Sequence, residues 1–182
     1  NLVLFYTQTS RLSSEIIQQQ ADNVNAKKSS SIEAMHQLKE QSILMKEAIL
    51  QGEVDHIGKI LHDGWVHKKQ MADGISNASI DDIYDAALQA GATGGKISGA
   101  GGGGFMIFYA PYIHKYELIK KLSEFGGSVM NYSLTSEGLT TTGLRGYLSV
   151  NLANVLVFAG FFSIGKRIGI ALFGFTTLDV LV

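Results

Sequence analysis

The 182-residue sequence has no cysteine and a single proline, Pro111. The lack of cysteine excludes disulfide bonds and thiolate metal ligands, and it is consistent with a reducing compartment such as the cytoplasm. Charge is sparse and balanced, since 15 basic and 16 acidic side chains leave a formal net charge of -1. That balance provides no electrostatic attraction for nucleic acid. The length predicts one domain with room for an appendage.

Metal-binding and acid–base patterns are also missing. The five histidines are His36, His56, His62, His67 and His114, and no two of them are four residues apart as in a helical zinc motif. Asp81 and Asp82 are typical of a helix N-terminus and do not indicate a catalytic pair. We therefore predict no metal site and assign no catalytic residue to this chain.

Glycine, in contrast, is abundant and clustered. Residues 98–104, here called the glycine loop, consist of Ser98, Gly99, Ala100, Gly101, Gly102, Gly103 and Gly104 and lie between two strand signals. Glycine loses more backbone entropy on folding than any other residue and buries no side chain. This run therefore predicts a backbone with positive φ or a ligand or second chain segment that approaches the backbone closely. Successive N–H groups in such a loop can bind a phosphate, which is the function we predict for all seven residues. A flexible hairpin tip is the alternative.

The glycine loop matches neither common nucleotide motif. A P-loop and a dinucleotide fingerprint both require a helix directly after their glycines. Here an apolar strand pattern, 105–109, follows instead.

Hydrophobic periodicity predicts the order strand, four helices, two strands, helix, strand. The strands are expected at 1–7, on both sides of the glycine loop and at 128–134; the helices are expected at 12–24, from Ser31 to Gly52, at 54–71, from Ser79 to Gly91 and at 112–125. Ser31 and Ser79 are the predicted N-caps of their helices. On the helical faces, Lys68 and Lys69 should point outward and Tyr116 inward. This grouping predicts an α+β fold, a small antiparallel sheet covered on one face by helices.

Two basic residues are candidates for phosphate contacts. Arg11 follows the first strand and has the hydroxyl groups of Ser10 and Ser13 nearby. An Arg fork beside hydroxyls suits a phosphate, whereas a solvated Arg at a helix start would oppose the helix dipole. Lys96 precedes the glycine loop, and it either contacts a phosphate there or points to solvent from its strand.

The C-terminal residues differ in character from the rest of the chain. From 148 to 164 the sequence is mostly apolar but includes Asn151 and Asn154, and a second apolar run follows Lys166 and Arg167. The first run is short for a membrane span, which needs about 20 residues. We therefore divide the chain into a domain at 1–142 and an atypical hydrophobic tail at 143–182, such as a frame-shifted or fused end. A membrane hairpin is the alternative.

Several of these segments occur together, and in the same order, in one family. Leu4-Phe5-Tyr6-Thr7-x-x-Ser10-Arg11, then His62-x-x-Trp65, then 91–105 (Gly-Ala-Thr-Gly-Gly-Lys-Ile-Ser-Gly-Ala-Gly-Gly-Gly-Gly-Phe) resemble the C-terminal half of the GHMP-family small-molecule kinases. Within that family the sequence is most similar to kinases of D-glycero-D-manno-heptose 7-phosphate. The resemblance covers about 1–142 and implies a ferredoxin-like C-terminal domain.

The resemblance also implies an activity. A parent enzyme would transfer a phosphoryl group from ATP, with Mg²⁺, to the anomeric hydroxyl of the heptose phosphate in the cytoplasm, for lipopolysaccharide or capsule synthesis. The glycine loop would be the family's third motif, packed beside a nucleotide-binding loop of an N-terminal half that this sequence lacks. That half would carry the catalytic residues and most of the ATP site.

Two functions of different classes stay open at this stage. The chain is either part of a sugar-phosphate kinase, inactive alone, or a non-catalytic domain that kept the fold and associates with a membrane. The expected partners are the sugar phosphate and ATP, with no nucleic acid. A membrane would be a partner only if the tail is a genuine anchor.

Overall fold

The computed structural model describes residues 1–9, 13–134, 161–164 and 167–170. In chain order its strands and helices are β1 (Leu2–Tyr6), α1 (Ser13–Asn25), α2 (Ser29–Gln51), α3 (His56–Lys69), α4 (Ala78–Gln89), β2 (Gly94–Ile97), β3 (Phe105–Tyr109), α5 (Lys115–Leu122), β4 (Ser128–Met130), β5 (Phe161–Ile164) and β6 (Arg167–Ile170). Short 3₁₀ helices, Tyr112–His114 and Ser123–Phe125, flank α5. Up to β4 this is the predicted order of elements.

The first four strands form one antiparallel sheet with the order β2-β3-β1-β4. The central strand β1 pairs with β3, where Leu2 is opposite Tyr109, and with β4, where Leu4 is opposite Met130. The two helical connections, β1 to β2 and β3 to β4, each skip one strand, which is the split βαβ arrangement of ferredoxin-like folds. The predicted α+β class with a small antiparallel sheet is confirmed.

Alternate residues of the sheet supply the main hydrophobic core, because successive side chains of a strand point to opposite faces. Val3, Phe5, Ile97, Met106 and Phe108 are at most 2% exposed and share one cluster with Ile80 and Ile83 of α4 and Leu118 and Leu122 of α5. Trp65 of α3 lies in the same cluster, with its ring 6.2 Å from that of Tyr84. The predicted core role of Trp65 is therefore confirmed.

Helix α3 and strand β2 meet at backbone contact. A Cβ added to Gly58 would overlap the side chain of Thr93, and one added to Gly94 would overlap the carbonyl of Gly58. This contact holds α3 across β2, the strand that leads into the glycine loop.

Two predicted helix caps are wrong. α2 begins at Ser29, and Ser31 is buried inside it, where its hydroxyl donates to the carbonyl of Met71 at 3.2 Å. α4 is capped by Asn77, whose Oδ1 accepts the N–H of Ile80 at 3.1 Å, while Ser79 is an exposed residue within the helix. The predicted glycine ends are confirmed, since Gly52 and Gly91 follow α2 and α4 with positive φ.

Some predicted elements are shorter than expected, and one predicted helix changes its type at both ends. The helix at 54–71 covers only His56–Lys69, and the strand at 128–134 ends at Met130. The helix at 112–125 is α5 with its two 3₁₀ ends, and Tyr116 is 73% exposed whereas Leu118 is buried. The buried face of α5 is centred on Leu118 and Leu122, and Tyr116 is two residues from Leu118, about 200° around the helix, so it faces away from the core.

The predicted boundary at 142 and most of 143–182 lie outside the described residues. Within that region β5 and β6 pair with each other as a separate antiparallel hairpin. No helix among the described residues has the length and apolar character that a bilayer span requires.

Candidate functional site

The glycine loop connects β2 to β3, and a hydrogen bond from the N–H of Ser98 to the carbonyl of Phe105 (2.7 Å) closes its base. All five of its glycines have positive φ: Gly99, Gly101, Gly102, Gly103 and Gly104. An L side chain at these positions would be strained. The sequence prediction of a positive-φ backbone is confirmed.

Two of the glycines are also needed for space. A Cβ at Gly101 would lie 2.8 Å from the Cα of Ile75, and a Cβ at Gly103 would lie 2.5 Å from the carbonyl oxygen of Thr9. Gly99, by contrast, has open space in that direction. The loop is therefore packed against the segment after α3 on one side and the segment after β1 on the other.

Hydrogen bonds hold the loop at both contacts. The N–H of Gly102 donates to the carbonyl of Ile75 at 2.9 Å, and the N–H of Gly104 donates to the carbonyl of Thr9 at 2.7 Å. These two N–H groups are thus used to position the loop. Among the described residues, no hydrogen bond uses the N–H of Gly99, Ala100, Gly101 or Gly103, so these four remain candidates for binding an anion.

Thr7, which sequence reasoning did not single out as a site residue, connects β1 to the loop. Its N–H donates to the carbonyl of Gly104 at 2.9 Å, and its Oγ1 lies 3.0 Å from both the nitrogen and the oxygen of Gly104. A threonine at the end of a strand carries no distinctive signal in sequence. Its role depends on the pairing of β1 with β3, which brings Thr7 beside Gly104.

Lys96 is buried on β2, with only 4% of its surface exposed. The interpretation that it points to solvent is therefore wrong. Burial, followed by the nearby Lys68 ammonium, lowers the pKa of Lys96 to about 7. Whether Lys96 contacts a phosphate stays a prediction.

Lys68 was predicted to face outward from α3 and is instead buried, with 8% of its surface exposed. Its ammonium donates to Oε1 of Gln20 on α1 at 3.1 Å. Burial lowers the pKa of Lys68 to about 8. The prediction is wrong because α1 and β2 both cover this side of α3, which the helical pattern alone does not reveal.

The predicted contacts around Arg11 are only partly within the described residues. Ser10 and Arg11 lie outside them, and Ser13 is the exposed first residue of α1. These three stay predictions.

His62 and Tyr84 form a hydrogen bond between α3 and α4, with 2.9 Å between Nδ1 and the phenol oxygen. Burial is the largest cause that raises the pKa of Tyr84. Among the described residues, no three His, Cys, Asp or Glu side chains are grouped so that they could hold a metal ion.

An open hollow of about 430 Å³ lies between the end of α4 and α5. Its lining includes Gly91 and His114, together with the acidic Glu117 and the basic Lys120. It adjoins the start of β2, whereas the glycine loop follows the end of that strand. The hollow is therefore not part of the site built around the loop.

Comparison with known proteins matches this part of the chain to one family. Residues 45–127 match the family model described as GHMP kinases C terminal. The D-glycero-alpha-D-manno-heptose 7-phosphate kinase of Campylobacter jejuni is 38% identical over 137 residues, which are 75% of this chain and 40% of that protein. The chain thus spans less than half the length of this relative.

Solved structures agree on the fold. A putative sugar kinase from Campylobacter jejuni superposes with a TM-score of 0.50 at 36% identity, over 75% of this chain and 37% of that one. The mevalonate kinase of L. major gives a TM-score of 0.61 at 18% identity, over 68% and 37% of the two chains, and shows similarity of fold alone. The matched model, the related kinase sequence and the shared fold assign residues 45–127 to the C-terminal domain of the GHMP kinases.

Proposed function

We propose that the parent of this chain is an ATP-dependent sugar-phosphate kinase that phosphorylates the anomeric hydroxyl of D-glycero-D-manno-heptose 7-phosphate. The observation that carries the proposal is the glycine loop, whose conformation is held by Ile75 and Thr9, while no hydrogen bond among the described residues uses four of its N–H groups. Phosphoryl transfer requires positioning and charge stabilisation and little covalent help from the protein. Backbone N–H groups supply both without ionisable side chains.

The reaction places few demands on this chain. The anomeric oxygen forms a bond to the γ-phosphorus while the bond from that phosphorus to the bridging oxygen breaks, and ADP leaves. The loop would stabilise the charge on the transferred group or on the phosphates of ADP. We assign the base that accepts the hydroxyl proton, and the ligands of Mg²⁺, to the remainder of the parent enzyme, as the resemblance to the family implies.

The choice of substrate is supported by the Campylobacter jejuni relative, whose name specifies heptose 7-phosphate. A cytoplasmic enzyme of this kind would feed the synthesis of nucleotide-activated heptose for lipopolysaccharide or capsule. In that enzyme, Arg11 and the hydroxyls of Ser10 and Ser13 would contact the sugar phosphate, and Lys96 would lie near the loop.

Turnover by the full-length parent tests the proposal. The purified enzyme is given Mg-ATP with heptose 7-phosphate, with the unphosphorylated heptose or with R-mevalonate, and the products are followed by ³¹P NMR. Of the three substrates, we expect only the heptose 7-phosphate to give a new anomeric phosphate signal. Turnover of mevalonate in preference to the sugar phosphate, or no turnover of either, would contradict the assignment.

Arg11→Ala in the same enzyme tests the proposed substrate contact. Loss of a hydrogen-bonded charge pair costs about 1.5–3 kcal/mol, so the KM for the sugar phosphate should rise about ten- to a hundredfold. The KM for ATP should stay the same, and Arg11→Lys should restore only part of the loss because it lacks the planar fork. An unchanged KM for the sugar phosphate would show that Arg11 is a solvated residue at a helix start.

A further inference from the structure

Strand β1 ends in a bulge where it meets the glycine loop. Its pairing with β3 is regular up to Tyr6, which is opposite Phe105. At the next position the N–H of Thr7 donates to the carbonyl of Gly104, but the N–H of Gly104 donates to the carbonyl of Thr9, two residues further along. Two positions that follow β1 thus bond to one residue of the loop, which is how a β-bulge differs from regular pairing.

Gln8, the residue between these two contacts, has a left-handed backbone with a φ of 57°. Positive φ is uncommon outside glycine, and such residues persist only where their surroundings hold them. The side chain of Gln8 is exposed, so its packing does not explain the conformation. The contacts that Thr7 and Thr9 make with the loop, on either side of Gln8, therefore hold it.

The hydroxyl of Thr7 connects the two sides of this bulge. Thr7 is buried, and its Oγ1 lies 3.0 Å from the nitrogen and 3.0 Å from the oxygen of Gly104. The same atom lies 2.9 Å from Oγ1 of Thr9. A hydroxyl has one hydrogen to donate and two lone pairs with which to accept, so these three contacts match its capacity. One side-chain oxygen thus joins both polar groups of Gly104 to the segment that contains Thr9.

These contacts also determine the orientation of Gly103. Gly103 and Gly104 share a planar peptide bond, so a contact that holds the nitrogen of Gly104 restrains the backbone of Gly103 as well. On its other side Gly103 is pressed against Thr9, whose carbonyl oxygen is 2.5 Å from the position that a Cβ would take. The N–H of Gly103 is one of the four in the loop that no hydrogen bond among the described residues uses. Its direction therefore depends on Thr7 and Thr9.

We propose that Thr7 is a positioning residue for phosphoryl transfer, whose hydroxyl holds Gly104 so that the N–H of Gly103 faces the transferred phosphoryl group, an inference that rests on the proposed kinase function. Fixed N–H groups stabilise a developing charge well because they are in place before the charge forms. Misplacement of a catalytic group by about 1 Å can lower a rate about a hundredfold. Thr7 acts through the loop and does not itself touch the substrate.

Thr7→Val in the full-length parent tests the proposal by kinetics. Valine keeps the shape of threonine and leaves the backbone hydrogen bond from residue 7 to Gly104 in place, so the strand pairing should persist. We expect kcat to fall about ten- to a hundredfold, while the KM values for ATP and for the sugar phosphate change less than about threefold. Thr7→Ser keeps the hydroxyl and should retain most of the wild-type kcat.

Thr93→Val is the matched control. It makes the same exchange of a hydroxyl for a methyl group just before β2, at the opposite end of that strand from the glycine loop. There the hydroxyl lies 3.5 Å from the carbonyl oxygen of Tyr109, and its loss should leave kcat at the wild-type value. An equal loss of kcat in Thr93→Val, a wild-type kcat in Thr7→Val or no recovery in Thr7→Ser would contradict the proposal. A rise in the KM for the sugar phosphate without a fall in kcat would make Thr7 a substrate contact and would also contradict it.

Amide hydrogen exchange of the 182-residue chain, followed by NMR, provides a readout that needs no activity. The N–H of Gly104 is held by Thr9 and Thr7, whereas that of Gly102 is held by Ile75 on the other side of the loop. Thr7→Val should speed exchange severalfold at Gly104 and leave it unchanged at Gly102. Equal acceleration at both glycines would show a general loss of stability, and no acceleration at Gly104 would show that the hydroxyl does not hold the loop. Either result would overturn the proposal.

The kinetic and exchange measurements fail separately from the kinase assignment. If the wild-type parent shows no turnover, the kinase assignment is wrong, and exchange still measures whether Thr7 holds the loop. If the wild-type parent is active and Thr7→Val equals it, the kinase assignment stands and the role of Thr7 is refuted.

Discussion

At the scale of single residues, the glycines of the loop have two different roles. Gly99 and Gly103 both have positive φ, but only Gly103 is pressed against the backbone, where a Cβ would lie 2.5 Å from the oxygen of Thr9. Substitutions at these two glycines can therefore measure the requirement for positive φ separately from the requirement for space. The same distinction sets Gly101, which faces Ile75, apart from Gly104.

Gly99→Ala and Gly103→Ala should differ in their effect on stability. Gly99→Ala incurs only the cost of a left-handed residue, about 1–2 kcal/mol. Gly103→Ala adds a backbone clash and should lower the free energy of unfolding further. Urea unfolding followed by Trp65 fluorescence measures both, and equal losses would contradict the observed packing.

Lys68 and Lys96 should make stability depend on pH. Burial lowers their pKa values from 10.5 to about 8 and about 7. Between about pH 7 and 10 the unfolded chain then binds more protons than the folded one, so the free energy of unfolding rises with pH. Below that window, both states are charged and the effect is constant.

We expect the urea midpoint to rise between pH 7 and about pH 9.5, and the rise to be smaller in Lys96→Met and Lys68→Met. Lys69→Met, on the exposed side, should keep the wild-type slope. A wild-type slope in all three variants would show that other groups cause the dependence.

At the scale of elements, the helix boundaries depend on how the connecting segments are held. The segment between α3 and α4 carries Ile75, which accepts from the glycine loop, and Asn77, which caps α4. The cap is thus placed by the same segment that positions the loop. Local sequence favoured Ser79 because serine and a following acidic residue are typical of helix starts.

Asn77→Ala should destabilise the domain by about 1 kcal/mol, because the N–H of Ile80 loses its acceptor. Ser79→Ala is the matched control, since Ser79 is exposed and alanine has the higher helix propensity. Thermal unfolding monitored by circular dichroism compares the two. A larger loss of stability in Ser79→Ala than in Asn77→Ala would indicate that Ser79 is the N-cap, as the sequence predicted.

At the scale of the whole molecule, we expect the chain to provide one wall of the proposed site. It spans 40% of the length of the Campylobacter jejuni heptose kinase. The glycine loop is held from within the domain by β1 and by the segment after α3, so its conformation does not depend on a second domain. We expect the nucleotide, in contrast, to need contacts from the remainder of the parent enzyme as well.

We therefore expect the purified 182-residue chain to show no useful turnover of ATP with heptose 7-phosphate. Production of ADP, followed by a coupled assay, checks this against the full-length parent as the positive control. Steady turnover by the chain alone would show that the whole catalytic apparatus lies within it.

Features that depend on neighbouring residues could be read from the sequence. Hydrophobic periodicity predicted the order of the elements, and the glycine run predicted positive φ, because both express local backbone and side-chain preferences. Gly52 and Gly91 ended their helices for the same reason. The contribution of the loop to phosphate binding stays a prediction.

Features that depend on contacts between distant residues were decided by the tertiary structure. Lys68 looked solvent-exposed on an isolated helix, but the packing of α1 and β2 on α3 buries it beside Lys96. Thr7 and Gly104 are far apart in sequence, and the pairing of β1 with β3 brings them within hydrogen-bonding distance. Periodicity reports which face of an element is apolar, whereas burial of a polar side chain depends on which other elements cover it.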